Sequence, residues 1–184
     1  MSFALPCDPA LAAMLAAAMS VIFLLAAWNK LRELATFEDA LAAYRLLPAA
    51  WVPAFARLLP ALEAIAGAGL LFASTRQAAA GLAAGLLLVV SGAVATNLAR
   101  GLTDIECGCG SPGASLPLSA GLVARNAVLA LALAATAQQT TARALQWIDY
   151  VTVAGGTLAL LGLYAACNQL LANRSRALAP RTQA

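Results

Sequence analysis

Residues 10–28, ALAAMLAAAMSVIFLLAAW, decide the fold class, because Ser20 is the only polar side chain among them. The hydrocarbon core of a bilayer is about 30 Å thick, and about 20 apolar residues in a helix cross it. No Lys or Arg precedes the stretch, and no small-x-small cleavage site leads from it into a soluble domain. We therefore expect a membrane span and not a signal peptide.

The rest of the chain has the same character, with 62% hydrophobic and only 10% charged residues and a mean hydropathy of +0.83. Soluble domains carry about 25% charged residues. We predict one integral membrane domain over residues 1–184, an all-α bundle of about five transmembrane helices in a lipid bilayer with a flexible tail. The predicted spans are residues 10–28, 58–74, 78–99, 116–137 and 147–171, and the tail is residues 173–184.

Two features of the composition exclude whole classes of function. The chain has no histidine, which excludes Ser-His-Asp and Cys-His catalysis, His-ligated haem and most zinc enzymes. The net charge of +3 is small and spread over the ends of the loops, so nucleic acid is not an expected partner.

An amphipathic helix is predicted at about residues 37–47, in the long connection after the first span. Phe37, Leu41, Tyr44 and Leu47 fall on one face of such a helix. Two interpretations stay open: a helix lying on the membrane surface, or a structural spacer.

Alternation of five spans assigns the four cysteines to two sides of the membrane. We call the side of the N-terminus face A and the opposite side face B. Cys107 and Cys109, in the connection after the third span, then lie on face B, and Cys167 lies about one turn from the face B end of the last span. Cys7 lies on face A and cannot pair directly with Cys107 or Cys109.

The same alternation collects polar residues in the face B half of the bundle. Charged groups inside a membrane are costly and are normally paired or face water. We expect Glu63 to pair with Arg125 or Lys30, either to fix the order of the helices or to serve function. The predicted polar cluster is Lys30, Glu63, Asn97, Arg100, Arg125 and Asn126.

The candidate catalytic residues are Cys107 and Cys109, in the sequence Glu106-Cys107-Gly108-Cys109-Gly110. A disulfide needs Cα atoms about 4.4–6.8 Å apart, and cysteines two positions apart reach that distance only in a tight turn. The small, strained ring favours exchange, since strained disulfides are readily reduced. Three readings stay open: a redox pair with Cys167 as a third thiol, a soft-metal site that includes Cys167, or a structural pair. Cys167 is also compatible with an ordinary core residue.

A series of short motifs resembles the MauE family, within the MauE/DoxX-like group of small membrane proteins. The motifs cover roughly residues 30–126, and the Cys-Gly-Cys loop with the later Arg-Asn is their most specific part. They are Asn29-Lys30-Leu31, Phe37, Tyr44-Arg45-Leu46-Leu47-Pro48, Leu59-Pro60-x-x-Glu63, Asn97-Leu98-Ala99-Arg100-Gly101, Cys107-Gly108-Cys109-Gly110 and Arg125-Asn126.

The resemblance implies a thiol–disulfide oxidoreductase role in maturing the disulfide-rich small subunit of methylamine dehydrogenase. It implies a membrane-anchored thioredoxin-like partner, MauD, and no metal, with a membrane quinone as a potential electron carrier. Two alternatives stay open: a non-redox scaffold or chaperone for the same partner, and a small transporter that depends on Glu63 and Arg125 but not on the cysteines.

The implied location is the bacterial inner membrane, with Cys107 and Cys109 on the periplasmic side. The positive-inside rule opposes this orientation, because face B carries more Lys and Arg residues than face A. We expect the periplasmic orientation, since Lys30 and Arg100 belong to the predicted polar cluster. The face B cations are Lys30, Arg32, Arg45, Arg57, Arg100, Arg174, Arg176 and Arg181; those of face A are Arg76 and Arg143.

Overall fold

The chain folds into helices joined by short connections. The computed structural model describes residues 8–102, 118–138 and 143–178, with side chains as far as Asn173. No β-strand occurs among these residues, so the predicted all-α architecture is confirmed. The helices are α1 (Pro9–Arg32), α2 (Leu34–Ala43), α3 (Val52–Leu70), α4 (Arg76–Ala99), α5 (Ala120–Thr136) and α6 (Trp147–Leu178), and a short 3-10 helix (Ala49–Trp51) leads into α3.

Four of these helices are long and apolar enough to cross a membrane. They are α1, α3 together with its leading 3-10 turn, α4 and α6, judged by length and composition. Helix α5 is also apolar but has only 17 residues. The prediction of a multi-pass helical membrane protein is confirmed.

Helix α1 lies inside the bundle and contacts α3, α5 and α6, while α4 packs against α3 and α5. The buried side of α1 is rich in alanine, including Ala12, Ala16 and Ala27. Lipid tails are as apolar as leucine, so helices in a membrane are held together mainly by close packing between small side chains. The alanine side chains of α1 therefore allow the neighbouring helices to pack closely against it.

The main apolar core joins α1, α3, α4 and α5. Large apolar side chains such as Leu88, Leu131 and Leu158 point outwards instead, where a soluble protein would carry polar residues. This arrangement suits a bundle surrounded by lipid. The core residues are Met19, Ile22, Phe23, Ala66, Leu70, Ala79, Ala80, Ala83, Leu86 and Leu133.

A charged contact at face A joins the first turns of α1 and α6. The Asp8 carboxylate caps α1 by accepting from the Ala10 N–H at 2.8 Å, and Pro9 opens the helix. The Arg143 guanidinium donates to Asp149 at 2.8 and 3.0 Å and to Asp8 at 3.3 Å. The hydrogen bonds that Arg143 donates to Asp149 and then to Asp8 raise the pKa of Arg143, so its guanidinium keeps its positive charge. Both helices therefore start on the same side of the membrane.

Helix α2 covers residues 34–43, whereas the amphipathic pattern predicted a helix at about 37–47. Its early end has a local cause: Arg45 has φ of 50°, a left-handed conformation that interrupts the helix. Phe37 and Tyr44 are buried, and α2 packs against α3 and α1.

Helix α3 begins at Val52 and ends at Leu70, earlier at both ends than the predicted 58–74. A proline lies in its first turn, where the missing N–H removes no helical hydrogen bond. At the other end the Thr75 hydroxyl donates to the Gly69 carbonyl at 2.7 Å, which closes the turn into α4.

Substitution of Gly67 gives a direct test of the packing between α1 and α3. A Cβ at this position would lie 3.0 Å from Leu24 Cγ and 3.2 Å from the Ser20 carbonyl oxygen. We expect Gly67→Leu to destabilise the bundle by about 2 kcal/mol through overpacking, measured by denaturant unfolding in detergent micelles. Gly85→Leu on α4 is the matched control, since nothing lies within 4 Å of a Cβ there. Equal stability of the two variants would contradict this packing.

Candidate functional site

A buried ion pair links α1 to α3 in the face B half of the bundle. Lys30, near the end of α1, donates through Nζ to both carboxylate oxygens of Glu63 on α3, at 2.5 and 2.7 Å. The two side chains are only 4% and 8% exposed. Lys30 Nζ also lies 5.6 Å from the centre of the Phe37 ring, a cation–π distance. Of the two partners expected for Glu63, the structure selects Lys30.

Arg125 on α5 is held by neutral groups. Its Nε and Nη2 donate to the Asn126 amide oxygen at 3.3 and 2.9 Å, and its Nη1 donates to the Asn168 amide oxygen at 2.8 Å. The guanidinium carbon lies 5.7 Å from the centre of the Tyr164 ring. The Asn126 amide in turn donates to the Ser91 hydroxyl at 3.1 Å. These contacts tie α5 to α4 and α6.

A cavity of about 50 Å³ lies between the ion pair and the arginine network. A cavity needs roughly 10–15 Å³ to hold a water molecule, so this one is large enough for at least one. Four of the six residues of the predicted polar cluster meet at its wall: Lys30, Glu63, Arg125 and Asn126. We call this space the polar cavity. Tyr164 completes its polar lining, and its apolar walls are Ile22, Phe23, Ala26, Leu86, Leu87, Val90 and Leu129.

The other two residues of the predicted cluster, Asn97 and Arg100, do not line the polar cavity. Asn97 is fully buried and donates to the Ala93 carbonyl of its own helix at 3.3 Å. Its side-chain oxygen has no partner among the described residues. Arg100 is exposed and caps the C-terminus of α4.

The sequence Asn97-Leu98-Ala99-Arg100-Gly101 forms a Schellman motif that ends α4. Gly101 has φ of 75°, and its N–H donates to the Leu98 carbonyl at 3.0 Å. The Leu102 N–H donates to the Asn97 carbonyl, also at 3.0 Å. This pair of hydrogen bonds defines the motif, which favours glycine at the left-handed position. The motif fixes where the chain leaves α4 towards residues 103–117.

The return of the chain after residue 117 is fixed as well. Leu118 is buried in a second apolar cluster near face B, together with Tyr44, Val94, Leu122 and Ala172. The candidate catalytic residues Cys107 and Cys109 lie between these anchors along the chain, outside the described residues. Cys7 also lies outside the described residues.

Cys167 is a half-buried free thiol on α6. The next residue along the chain, Asn168, contacts Arg125, so the Cys167 backbone lies beside the arginine network. A part for Cys167 as a third thiol stays a prediction.

The sequence did not single out three residues that complete the network, namely Ser91, Tyr164 and Asn168. A signal for two of them exists: Tyr164 and Asn168 are four residues apart, a spacing that puts both on one face of a helix. The signal is weak, because single polar residues are common in long apolar helices.

Comparison with known proteins assigns the chain to a family. The family model described as methylamine utilisation protein MauE matches residues 8–138, well over half of the chain. The chain belongs to the MauE family. The matched region contains Cys107, Cys109 and the whole predicted polar cluster, whereas Cys167 lies beyond it.

Three relatives within this family, each named methylamine utilization protein MauE, illustrate the similarity. The chain is 42% identical over 117 residues to that of Paracoccus denitrificans, covering 63% of each protein. It is 41% identical over 102 residues to that of Methylophilus methylotrophus, covering 55% of this chain and 54% of the relative. It is 38% identical over 146 residues to that of Paracoccus versutus, covering 78% of each. The matches thus span less than two thirds of the first two relatives, and no solved structure matches the chain.

The ion pair leads to a prediction for stability in this MauE-family bundle. Glu63→Leu or Lys30→Met alone removes one charge of the buried pair and keeps the other, and each should lower the free energy of unfolding by about 3–5 kcal/mol. The double variant should recover most of the loss, because apolar side chains often replace a buried pair at little expense. Denaturant unfolding in micelles measures all three.

Arg143→Gln is the control for these variants. It breaks an exposed contact and should change stability much less. A double variant no more stable than the single ones would show that the pair does more than satisfy its own charges.

The Schellman motif predicts a specific sensitivity at Gly101. Gly101→Ala should lower the free energy of unfolding by about 1–2 kcal/mol, since a side chain disfavours the left-handed conformation. Gly92→Ala on the same helix is the matched control; a Cβ there meets nothing within 4 Å, and alanine favours a helix. Circular dichroism during thermal unfolding separates them, and a neutral Gly101→Ala would argue against the motif.

Proposed function

We propose that this protein takes part in methylamine utilisation as a membrane thiol–disulfide exchange protein. In this proposal Cys107 and Cys109 exchange disulfides with a membrane-anchored thioredoxin-like partner of the MauD kind. The exchange supports disulfide formation in a periplasmic client, the small subunit of methylamine dehydrogenase. Family membership and the names of the relatives support the pathway, and the dithiol sequence supports the chemistry.

One observation carries the proposal: the chain around the dithiol is anchored at the end of the bundle that holds the buried charges. The Schellman motif at Gly101 fixes the departure of the chain, and buried Leu118 fixes its return. Arg125 lies five residues after the start of α5 at Ala120, about 7.5 Å along the helix at 1.5 Å per residue. An inert connection needs no such charged neighbourhood inside a membrane, where charges are costly.

Disulfide exchange with the partner proceeds in two displacements. A thiolate of the reduced partner attacks the disulfide between Cys107 and Cys109 and forms a mixed disulfide, releasing one loop thiolate. The second thiolate of the partner then displaces the other loop sulfur. The partner leaves as a disulfide, and each of the two loop thiolates takes up one of the two protons that the partner's thiols released. A nearby cation favours the thiolate form, and Arg100 precedes Cys107 by seven residues along the chain.

Replacement of the two loop cysteines tests the proposal. We expect Cys107→Ser with Cys109→Ser to abolish production of active methylamine dehydrogenase in cells whose own copy of this protein is deleted. Cys167→Ser is the matched control, since it removes a thiol outside the dithiol. The readouts are dehydrogenase activity and the thiol content of the small subunit. Full activity with the double variant would refute exchange and leave a scaffold that holds partner and client together.

A second experiment tests the periplasmic orientation. A variant that keeps only Cys107 and Cys109 is treated with a membrane-impermeant maleimide, in intact and in lysed cells, before and after a reductant. Labelling in intact cells only after reduction is the expected result, because it requires an accessible periplasmic disulfide. Labelling only after lysis would place the pair in the cytoplasm and rule out direct exchange with a periplasmic partner.

A further inference from the structure

A second, larger cavity of about 340 Å³ lies between α2, α3 and α4 in the face B half of the bundle. We call it the apolar pocket. Its walls are almost wholly apolar, and Lys30 is the one charged residue among the described residues that line it. The ammonium group of Lys30 is bound to Glu63. The lining therefore suits an apolar occupant and not a polar one.

The apolar pocket is elongated along the helices. Its lining residues on α3 run from Phe55 to Leu62, and those on α4 run from Ala93 back to Leu86. Each set covers seven positions, about 10 Å along a helix at 1.5 Å per residue. Helix α3 leads inwards from face B and α4 leads out to it, so the pocket extends from near face B about a third of the way through a hydrocarbon core of about 30 Å.

The apolar pocket reaches the outer surface of the bundle. Among its lining residues, Leu46 and Phe55 are 38% and 37% exposed, and Leu58 and Val89 are 50% and 66% exposed. In a bilayer such a surface faces acyl chains instead of water. A dry cavity of about 150 Å³ holds a benzene molecule, so this one has room for about a dozen carbon atoms.

Helix α2 forms one wall of the apolar pocket. Its lining residues Phe37, Ala40 and Leu41 have the spacing of one helical face. Glu38 and Asp39 lie off that face. A helix with one apolar and one charged face lies at the boundary between lipid head groups and acyl chains. The pocket therefore begins at the depth where the acyl chains begin.

Two arginines flank the face B end of the apolar pocket. Arg45 stands between the lining residues Tyr44 and Leu46, and Arg57 precedes the lining residue Leu58. Both arginines are exposed, and neither forms an ion pair within the described part of the chain. A cation at the membrane surface attracts anionic lipid, and each one raises the affinity about fivefold.

We propose that the apolar pocket is a phospholipid site, which holds one acyl chain of an anionic phospholipid between α2, α3 and α4. The head-group phosphate lies at face B beside Arg45 and Arg57. The chain supplies contacts that the walls of an empty pocket would lack. The site uses neither the loop cysteines nor Arg125, so it stands apart from the proposed exchange function.

Photo-crosslinking locates the acyl chain in the intact protein. The protein is placed in phosphatidylcholine nanodiscs that contain a little phosphatidylglycerol with a diazirine in one acyl chain, and adducts are mapped by peptide mass spectrometry. We expect adducts at lining residues such as Leu62 and Leu86, which excess unlabelled phosphatidylglycerol displaces. Labelling spread evenly over exposed residues such as Leu158 and Leu163 of α6 would overturn the site, because it would show contact with bulk lipid only.

Filling the apolar pocket tests the site by affinity. Delipidated protein is titrated with phosphatidylglycerol, and bound lipid is counted by native mass spectrometry. Ala93→Phe on α4 and Ala40→Phe on α2 should each weaken binding about tenfold, since the added ring occupies the space of the chain. Ala95→Phe is the matched control, because Ala95 is exposed on α4 and does not line the pocket.

Circular dichroism confirms that each pocket variant keeps its helices, and the two variants lie on different helices. Equal affinity of the folded pocket variants and Ala95→Phe would refute the site. A dimer in nanodiscs that shields Leu62 and Leu86 from the diazirine would also refute it, since a second copy of the chain would then cover the pocket.

Replacement of both flanking arginines tests the head group. Arg45→Gln with Arg57→Gln should weaken phosphatidylglycerol binding about thirtyfold and phosphatidylcholine binding much less. Arg76→Gln with Arg143→Gln is the matched control, since it removes the same charge from face A. Unchanged preference for phosphatidylglycerol in the Arg45, Arg57 variant would contradict the placement of the phosphate.

Discussion

The low dielectric of the membrane is the constraint on which the rest of this structure depends. A charge in such a medium must be matched by a partner or by several hydrogen bonds, because no bulk water is available to solvate it. The chain meets this requirement in two ways. Glu63 receives two hydrogen bonds from one ammonium group, while the guanidinium of Arg125 is held by amide oxygens and an aromatic ring.

The ion pair and the arginine network differ in their net charge. The paired charges cancel, so their main effect is to hold α1 against α3. The arginine network contains no carboxylate among the described residues, so within that part of the chain it carries a net positive charge. The ion pair and the arginine network line one cavity. The bundle therefore places a contact that holds two helices together beside a positively charged group, at the end of the fold from which the dithiol segment departs. Helix α1 contributes to both, since its alanine face permits close packing and its last turn carries the lysine.

The sequence predicted the parts of this arrangement that depend on composition. Long apolar runs identify the spans, and ionisable residues within or beside them identify Lys30, Glu63 and Arg125 as a group. Parts that depend on helix rotation were not predictable, since an apolar helix tolerates Ser91 or Tyr164 on any face. The end of α2 was missed because one residue, Arg45, adopts a left-handed conformation without a glycine or proline signal. The cavity of about 340 Å³ lined by residues of α2, α3 and α4 was also beyond the sequence, since it depends on how these helices are placed relative to one another.

Helix α5 has a consequence for the bilayer itself. Its 17 residues span about 25 Å, while the 24 residues of neighbouring α4 span about 36 Å. The hydrocarbon core is about 30 Å thick, so α5 alone is too short to cross it. A span shorter than the bilayer is accommodated by thinning of the local bilayer, by snorkelling of flanking residues or by association with other helices. Since α5 begins two residues after Leu118, each of these responses would bring water closer to the first turn of α5.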